Sequence, residues 1–344
     1  MGRDTSMQEL AVWILANLSD CPSEEEQADF GQKVLVTLVP LLKAPKSDTV
    51  LLHALRCLTN LATDATNRKV IDAWFGVDLI SVHLDSTVEA IQFQALWCLS
   101  HMASEQVQPS FERSTQLLKR ICSLIKSGAS PNLMGSAWRL VTNLTSTPSL
   151  RSIIISQGIF DTAQQVIVSE LEEIEADQER DLSMLQEAVA FIANMIAREE
   201  NMRDAVSPPL LHNFMRLIDC NSAATRAQSV WALAYMSTSD KNHPRILAEG
   251  GLEHALDLLE GEEEETHAAA WLICNLAANP ELHERLRENG AIISLVKLLF
   301  SKSQDVRLVA GKALSRLSST TKNKALVRQL FSTISLKDDV LNSK

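Results

Sequence analysis

Ala270-Trp271-Leu272-Ile273-Cys274-Asn275-Leu276-Ala277 is the stretch whose recurrence decides the fold. Aligned on Asn275, its relatives are Leu15-Ala16-Asn17-Leu18, Leu58-Thr59-Asn60-Leu61, Leu99-Ser100-His101-Met102, Val141-Thr142-Asn143-Leu144, Ile192-Ala193-Asn194-Met195, Leu233-Ala234-Tyr235-Met236 and Leu314-Ser315-Arg316-Leu317. From Asn17 onward the steps between these rung positions are 43, 41, 42, 51, 41, 40 and 41 residues. A period of about 40 residues marks stacked helical repeats, in which each unit buries its apolar face on its neighbours.

Hydrophobic residues make up 46% of the chain and aromatics only 5%, a balance suited to small helices packed through Leu, Ile, Val and Ala. The expected class is therefore all-α. One continuous repeat body is expected over 1–331, with a polar tail over 332–344, because the core of an array grows with every unit. The last helix of each unit should lie near 5–19, 47–62, 87–104, 132–147, 183–198, 223–238, 263–278 and 304–319. The first unit has only that last helix, and 323–331 reads as the start of an unfinished ninth. Pro22 is expected to open a helix, and Gly31, Gly76, Gly158, Gly250 and Gly290 to mark corners. The long step of 51 falls on an acidic insert, 170–181, which reads as a solvated loop on one face of the array. Glu262, Glu263, Glu264 and Glu265 stand at a helix start, where the helix dipole is sufficient cause for them.

A formal net charge of −11 disfavours nucleic acid and acidic membranes and favours basic partners. Cys21, Cys57, Cys98, Cys122, Cys220 and Cys274 form no CxxC pair and read as buried free thiols in a reducing compartment, the cytoplasm or alternatively the nucleus. No apolar run approaches the roughly 18 residues of a transmembrane segment. Met1-Gly2-Arg3-Asp4-Thr5-Ser6 fits the loose pattern for N-myristoylation, with Gly2 as acceptor. Phosphate-cradling glycine loops, zinc spacings and HExxH are absent, so no catalytic residue, metal or cofactor is assigned and catalysis is not expected.

Three helices per unit, a period of about 41, a glycine corner before the second helix and Asn late in the third together resemble the armadillo-repeat family over about 5–331. That resemblance implies a right-handed superhelical solenoid of about eight repeats with incomplete terminal repeats, its third helices lining a concave groove. Trp four residues before the rung is similar to the importin-α branch. There the resemblance implies Trp rings that hold the stems of cargo lysines and Asn side chains that bind the cargo backbone. The WxxxN spacing is complete at Trp13/Asn17 and Trp271/Asn275. Trp97 is followed by His101 and Trp231 by Tyr235, while the remaining −4 positions are Arg56, Arg139, Ala190 and Lys312.

Residues four apart share a helix face, so each Trp should project beside its rung. Asn offers a donor and an acceptor to an extended peptide, and an exposed Trp offers a wall for a cation or its stem. The candidate peptide groove is therefore Trp13, Asn17, Asn60, Trp97, His101, Asn143, Asn194, Trp231, Tyr235, Trp271 and Asn275. The alternative is that the Asn side chains bond neighbouring helices and the Trp rings are packed. Trp138 is out of phase and Trp74 lies in a first helix, so both are expected in the core. The expected function is a non-enzymatic scaffold or adaptor that binds extended, basic segments of other proteins. A nuclear-import adaptor, a regulator or chaperone of a folded client such as a small GTPase or motor, and a myristoylated membrane-associated scaffold are the alternatives. Self-association through the first helix is a further option, because Met7, Leu10, Ile14, Leu15 and Leu18 need a cover.

Overall fold

The computed structural model describes residues 2–20, 24–104, 107–176, 181–204 and 206–341; Cys21, the proposed opening at Pro22, the insert's 177–180 and the end of the tail, 342–344, lie outside them. Among the described residues the elements are helices packed in sequence, with no strand. Contacts gather into two compact units, Met1–Ala163 and Gln164–Lys344. In unit 1 the rungs ride on α1 (Gly2–Leu18), α2 (Asp48–Leu61), α3 (Glu89–Met102) and α4 (Pro131–Leu144), each packed on the next. Unit 2 repeats the plan with α5 (Ser183–Arg198), α6 (Ala223–Met236), α7 (Glu263–Leu276) and α8 (Gln304–Leu317). The other helices are numbered by residue alone.

Local chemistry fixes where these helices begin. The Ser47, Ser130 and Ser222 side chains accept from the backbone N–H groups of Val50, Leu133 and Thr225, satisfying donors that a helix start leaves orphaned. At α7 the same task falls to a capping box, in which Glu265 reaches back to the Glu262 N–H at 3.2 Å. Glu265 is also buried against Arg226, 2.7 Å away, so one member of the acidic run holds α6 to α7. The interfaces are built from small and branched side chains. Ala268, Ala269, Leu272, Ile273 and Leu276 of α7 are all fully buried, each large one contributing about 1.5–3 kcal/mol.

Gly250 and Gly290 adopt φ of 81° and 83°, turning the chain just before Gly251–Asp257 and Ala291–Leu298, as corners require. Gly31 does something else. Helix Glu24–Lys43 runs straight through it, and a Cβ there would stand 2.5 Å from Asn67 Nδ2 and 2.7 Å from Asn67 Cγ. Close packing on a fully buried Asn67, and no turn, is the reason for this glycine. The acidic insert also differs from the expected loop, since helix Ile159–Ala176 carries its first part. Ile167 and Leu171, one turn apart and both buried, extend the helix's apolar stripe into the acidic run and draw Glu170 in with them. Helix Thr321–Leu341 likewise continues past Phe331 through most of the expected tail.

Trp138 is fully buried, as its phase implies, but Trp74 is 45% exposed. It ends helix Ala65–Trp74 beside the Gly76 corner. Helix α1 packs through Val12 and Ala16 and leaves Met7, Leu10, Ile14 and Leu18 exposed. Cys57, Cys98, Cys122, Cys220 and Cys274 are buried free thiols; burial raises Cys98 to about 12 and Cys57 and Cys122 to about 11, which makes them poor nucleophiles. No described helix is long and apolar enough to cross a membrane.

Candidate functional site: the rung faces

The rung side chains first act as braces between repeats. Asn60 Nδ2 donates to Ala16 O and Ser19 Oγ, both at 3.1 Å. Asn275 Nδ2 donates to Ala234 O at 2.8 Å and Ser237 Oγ at 3.2 Å, and Asn143 Nδ2 donates to Ser100 O at 3.0 Å. Each accepting carbonyl belongs to the residue just before the preceding rung, in a last helical turn whose carbonyls lack intrahelical partners. Arg316 performs the same task with a guanidinium, its Nη1 lying 2.6 Å from Cys274 O. Asparagine at a helix interior thus has a positional cause in the stacking itself. Asn17, on the first helix, is exposed and accepts from Arg56, while Asn194 is half-buried.

The −4 positions show a second pattern. At three of the four positions where Trp is replaced, Ala190 being the exception, a cation from the next helix reaches back over the preceding rung pair. Arg56 donates to Asn17 Oδ1, the Arg139 guanidinium lies 4.5 Å from the Trp97 ring centre, and Lys312 Nζ lies 5.5 Å from that of Trp271. Both ring distances are within cation–π range. The chain therefore supplies its own cations to two of the four ladder tryptophans. Trp13, 44% exposed, stands on α1.

Trp231 is different. It stacks on Tyr235 with ring centres 5.8 Å apart and meets His267 edge-on at 5.1 Å, and no cation lies over it among the described residues. Together with Ala234, Tyr235, Thr238, Trp271 and Asn275 it lines a cleft of about 200 Å³. Four of the candidate groove residues thus meet at one place. In unit 1, Phe93, Trp97 and His101 form a continuous aromatic ridge along α3, stacked at 5.8 Å and then edge-on at 5.7 Å. Burial, then the charges of Arg139 and Arg68, hold the His101 imidazole below its ordinary value, so this rung is neutral at neutral pH.

One periodic set was missed from the sequence. Eight residues after a rung, Arg68, Arg151, His243 and His283 turn back to cap the carbonyls of Ala62, Thr145, Ser237 and Ala277 at 2.7–2.9 Å. A carbonyl only accepts, so each imidazole must donate from Nε2. The recurrence of Arg or His at that offset is the sequence signal that could have found them. No group of His, Cys, Asp and Glu that could hold a metal occurs among the described residues.

No family model matches the chain, and no curated protein matches it. Solved structures do. A crystal structure of an engineered protein from the Northeast Structural Genomics Consortium is similar at 21% identity and a TM-score of 0.70, covering 95% of this chain and 83% of that one. A second engineered protein from the same consortium is similar at 19% identity and a TM-score of 0.61, covering 71% of this chain and 99% of that one. At these identities the likeness shows the fold alone: the chain is an all-helical protein of packed, repeating helices.

Proposed function

We propose that the chain is an armadillo-type repeat protein that binds extended segments of other proteins along its rung faces, without catalysis, and that a partner's lysine anchors in the Trp231–Trp271 cleft. The observation that carries this reading is the half-buried Trp231 ring, which lines a cleft with Trp271 and Asn275 and has no cation over it among the described residues. An ammonium stem between aromatic walls gains both apolar contact and cation–π attraction. The overall charge of −11 favours such a basic partner. A uniform lysine-reading groove of the nuclear-import kind is less well supported, because Arg139 and Lys312 already occupy Trp97 and Trp271. Buried thiols suit work in the cytoplasm or nucleus.

The test is a fluorescence-anisotropy titration of a labelled lysine-rich peptide against the wild type and Trp231→Ala. A loss of roughly twofold to thirtyfold in affinity is expected, matching about 0.5–2 kcal/mol for one cation–π contact. Equal affinities would remove the cleft as the anchor.

A further inference from the structure

The rung helices share one burial register. Six and three residues before the rung, and one after it, every helix from α2 to α8 is fully buried, as at Ala54, Cys57 and Leu61 of α2 and Ala269, Leu272 and Leu276 of α7. That side of the helix is a packing face; the Cys57 thiol, for example, lies 3.7 Å from Leu15 O of the preceding helix. In α1 the same register holds Ala11, Ile14 and Leu18, and all three are exposed. Met7 and Leu10 extend the stripe by a turn, and its four large side chains are 43–68% exposed. The one charged residue over 5–19, Glu9, is engaged with α2, where it accepts the Ser47 hydroxyl at 2.8 Å. The stripe is therefore apolar and uncharged.

Spacing decides what fits this face. Met7, Ala11, Ile14 and Leu18 are separated by 4, 3 and 4 residues, an order that reads the same in both directions. Two copies of α1 laid antiparallel about a two-fold axis therefore match without a slip: Met7 meets Leu18 of the second copy, Ala11 meets its Ile14, and Leu10 meets its Leu15. Large side chains oppose one another at the ends, while near the axis the small Ala11 leaves room for Ile14, as interdigitated helix packing requires. Asp20, exposed just past the end of α1, then stands beside the first turn of the other copy's helix, where the dipole favours a carboxylate. Area agrees with this pairing. The stripe exposes on the order of 400 Å² of apolar surface, within the range of about 300–600 Å² for the largest patch on a typical monomer. Two such stripes, with their rims, bury roughly 1,000 Å² in all, about the least that a specific interface needs.

We propose that the α1 stripe is the contact between two copies of this chain, paired as antiparallel helices about a two-fold axis that passes between residues 12 and 13. The pairing is independent of peptide binding along the rung faces, because the ladder residues Trp13 and Asn17 stand outside the stripe. An interface of this size belongs at the weak end, so a dissociation constant of about 1–100 μM is expected. A two-fold contact uses the face up on both copies, and assembly stops at the dimer.

Sedimentation velocity of the full chain from about 1 to about 200 μM tests the proposal, and the weight-average mass should climb from monomer to dimer and no further. Ile14→Glu places a carboxylate beside the axis and should weaken the dimer at least about tenfold. Its circular dichroism should match the wild type, since Ile14 is an exposed side chain. Met7→Glu and Leu18→Lys should each weaken the dimer as well. Combined in one chain, they bring Glu opposite Lys only in the antiparallel register, so the double variant should dimerise about tenfold more tightly than either single one. A double variant no tighter than the singles, or a dimer unmoved by Ile14→Glu, would overturn the proposal. So would species beyond the dimer that grow with concentration, or a wild type that stays monomeric throughout, the result expected if a helix of a different protein covers the stripe.

Discussion

At Asn275 the amide nitrogen donates to Ala234 O and Ser237 Oγ in a site only 9% exposed, so Asn275→Ala leaves a buried carbonyl with one donor fewer. A loss of about 1–3 kcal/mol in unfolding free energy is expected from urea titration. Asn17→Ala removes only an exposed acceptor for Arg56 and should change stability by less than about 0.5 kcal/mol. Comparable losses at the two sites would contradict the brace. Lys312 leads to an effect of the opposite sign on binding. Its ammonium stands over Trp271, so Lys312→Ala uncovers that ring and removes a like charge, and the affinity of a lysine peptide should rise by roughly twofold to thirtyfold. The residue types at these positions were legible in the sequence. What the side chains bonded was not, because an Asn-to-carbonyl bond across some 40 residues depends on how two helices superpose.

Helix Glu24–Lys43 shows how an element can use a glycine without turning at it. Replacing an interior helix glycine with alanine ordinarily stabilises by about 1 kcal/mol. At Gly31 the added Cβ would overlap the side chain of fully buried Asn67, so Gly31→Ala should destabilise by about 1–3 kcal/mol. Thermal or urea unfolding of the variant reads the sign directly, and a stabilised protein would show that Asn67 yields. The other corners were readable because a positive φ singles glycine out, whereas close approach to a distant side chain leaves no local trace. The acidic insert was misjudged for a related reason. Charge density suggested a loop, but Ile167 and Leu171 continue the buried stripe of Ile159–Ala176 into it.

On the scale of the whole molecule, half-buried imidazoles contribute to the response to acid. Burial is the leading cause holding His53, His83 and His101 below their ordinary value. The unfolded chain takes up protons at these sites near pH 6.5, where the folded chain does not, so stability falls as pH drops through about 6.5. A lower urea midpoint is expected at about pH 5.5 than at about pH 7.5, with a smaller drop in His101→Gln. An identical drop in that variant would exclude His101 as a contributor. Net charge, the other molecular quantity, was fully legible at −11 yet does not describe the rung faces, where Arg56, Arg139, Lys312 and Arg316 are cations. The repeating helical class followed from the 40- to 51-residue steps, and the boundary between units Met1–Ala163 and Gln164–Lys344 falls within the one long step, from Asn143 to Asn194.

The measurement that bears most directly on the binding site is a double-mutant cycle by calorimetry, pairing Trp231→Ala in the protein with Lys→norleucine in a lysine-rich peptide. Norleucine keeps the apolar stem and removes the charge, so the coupling isolates the cation above the ring. A coupling energy of about 0.5–2 kcal/mol is expected. A coupling of about zero, within the roughly 0.3–0.5 kcal/mol at which independent sites add, would contradict the lysine anchor at the Trp231–Trp271 cleft.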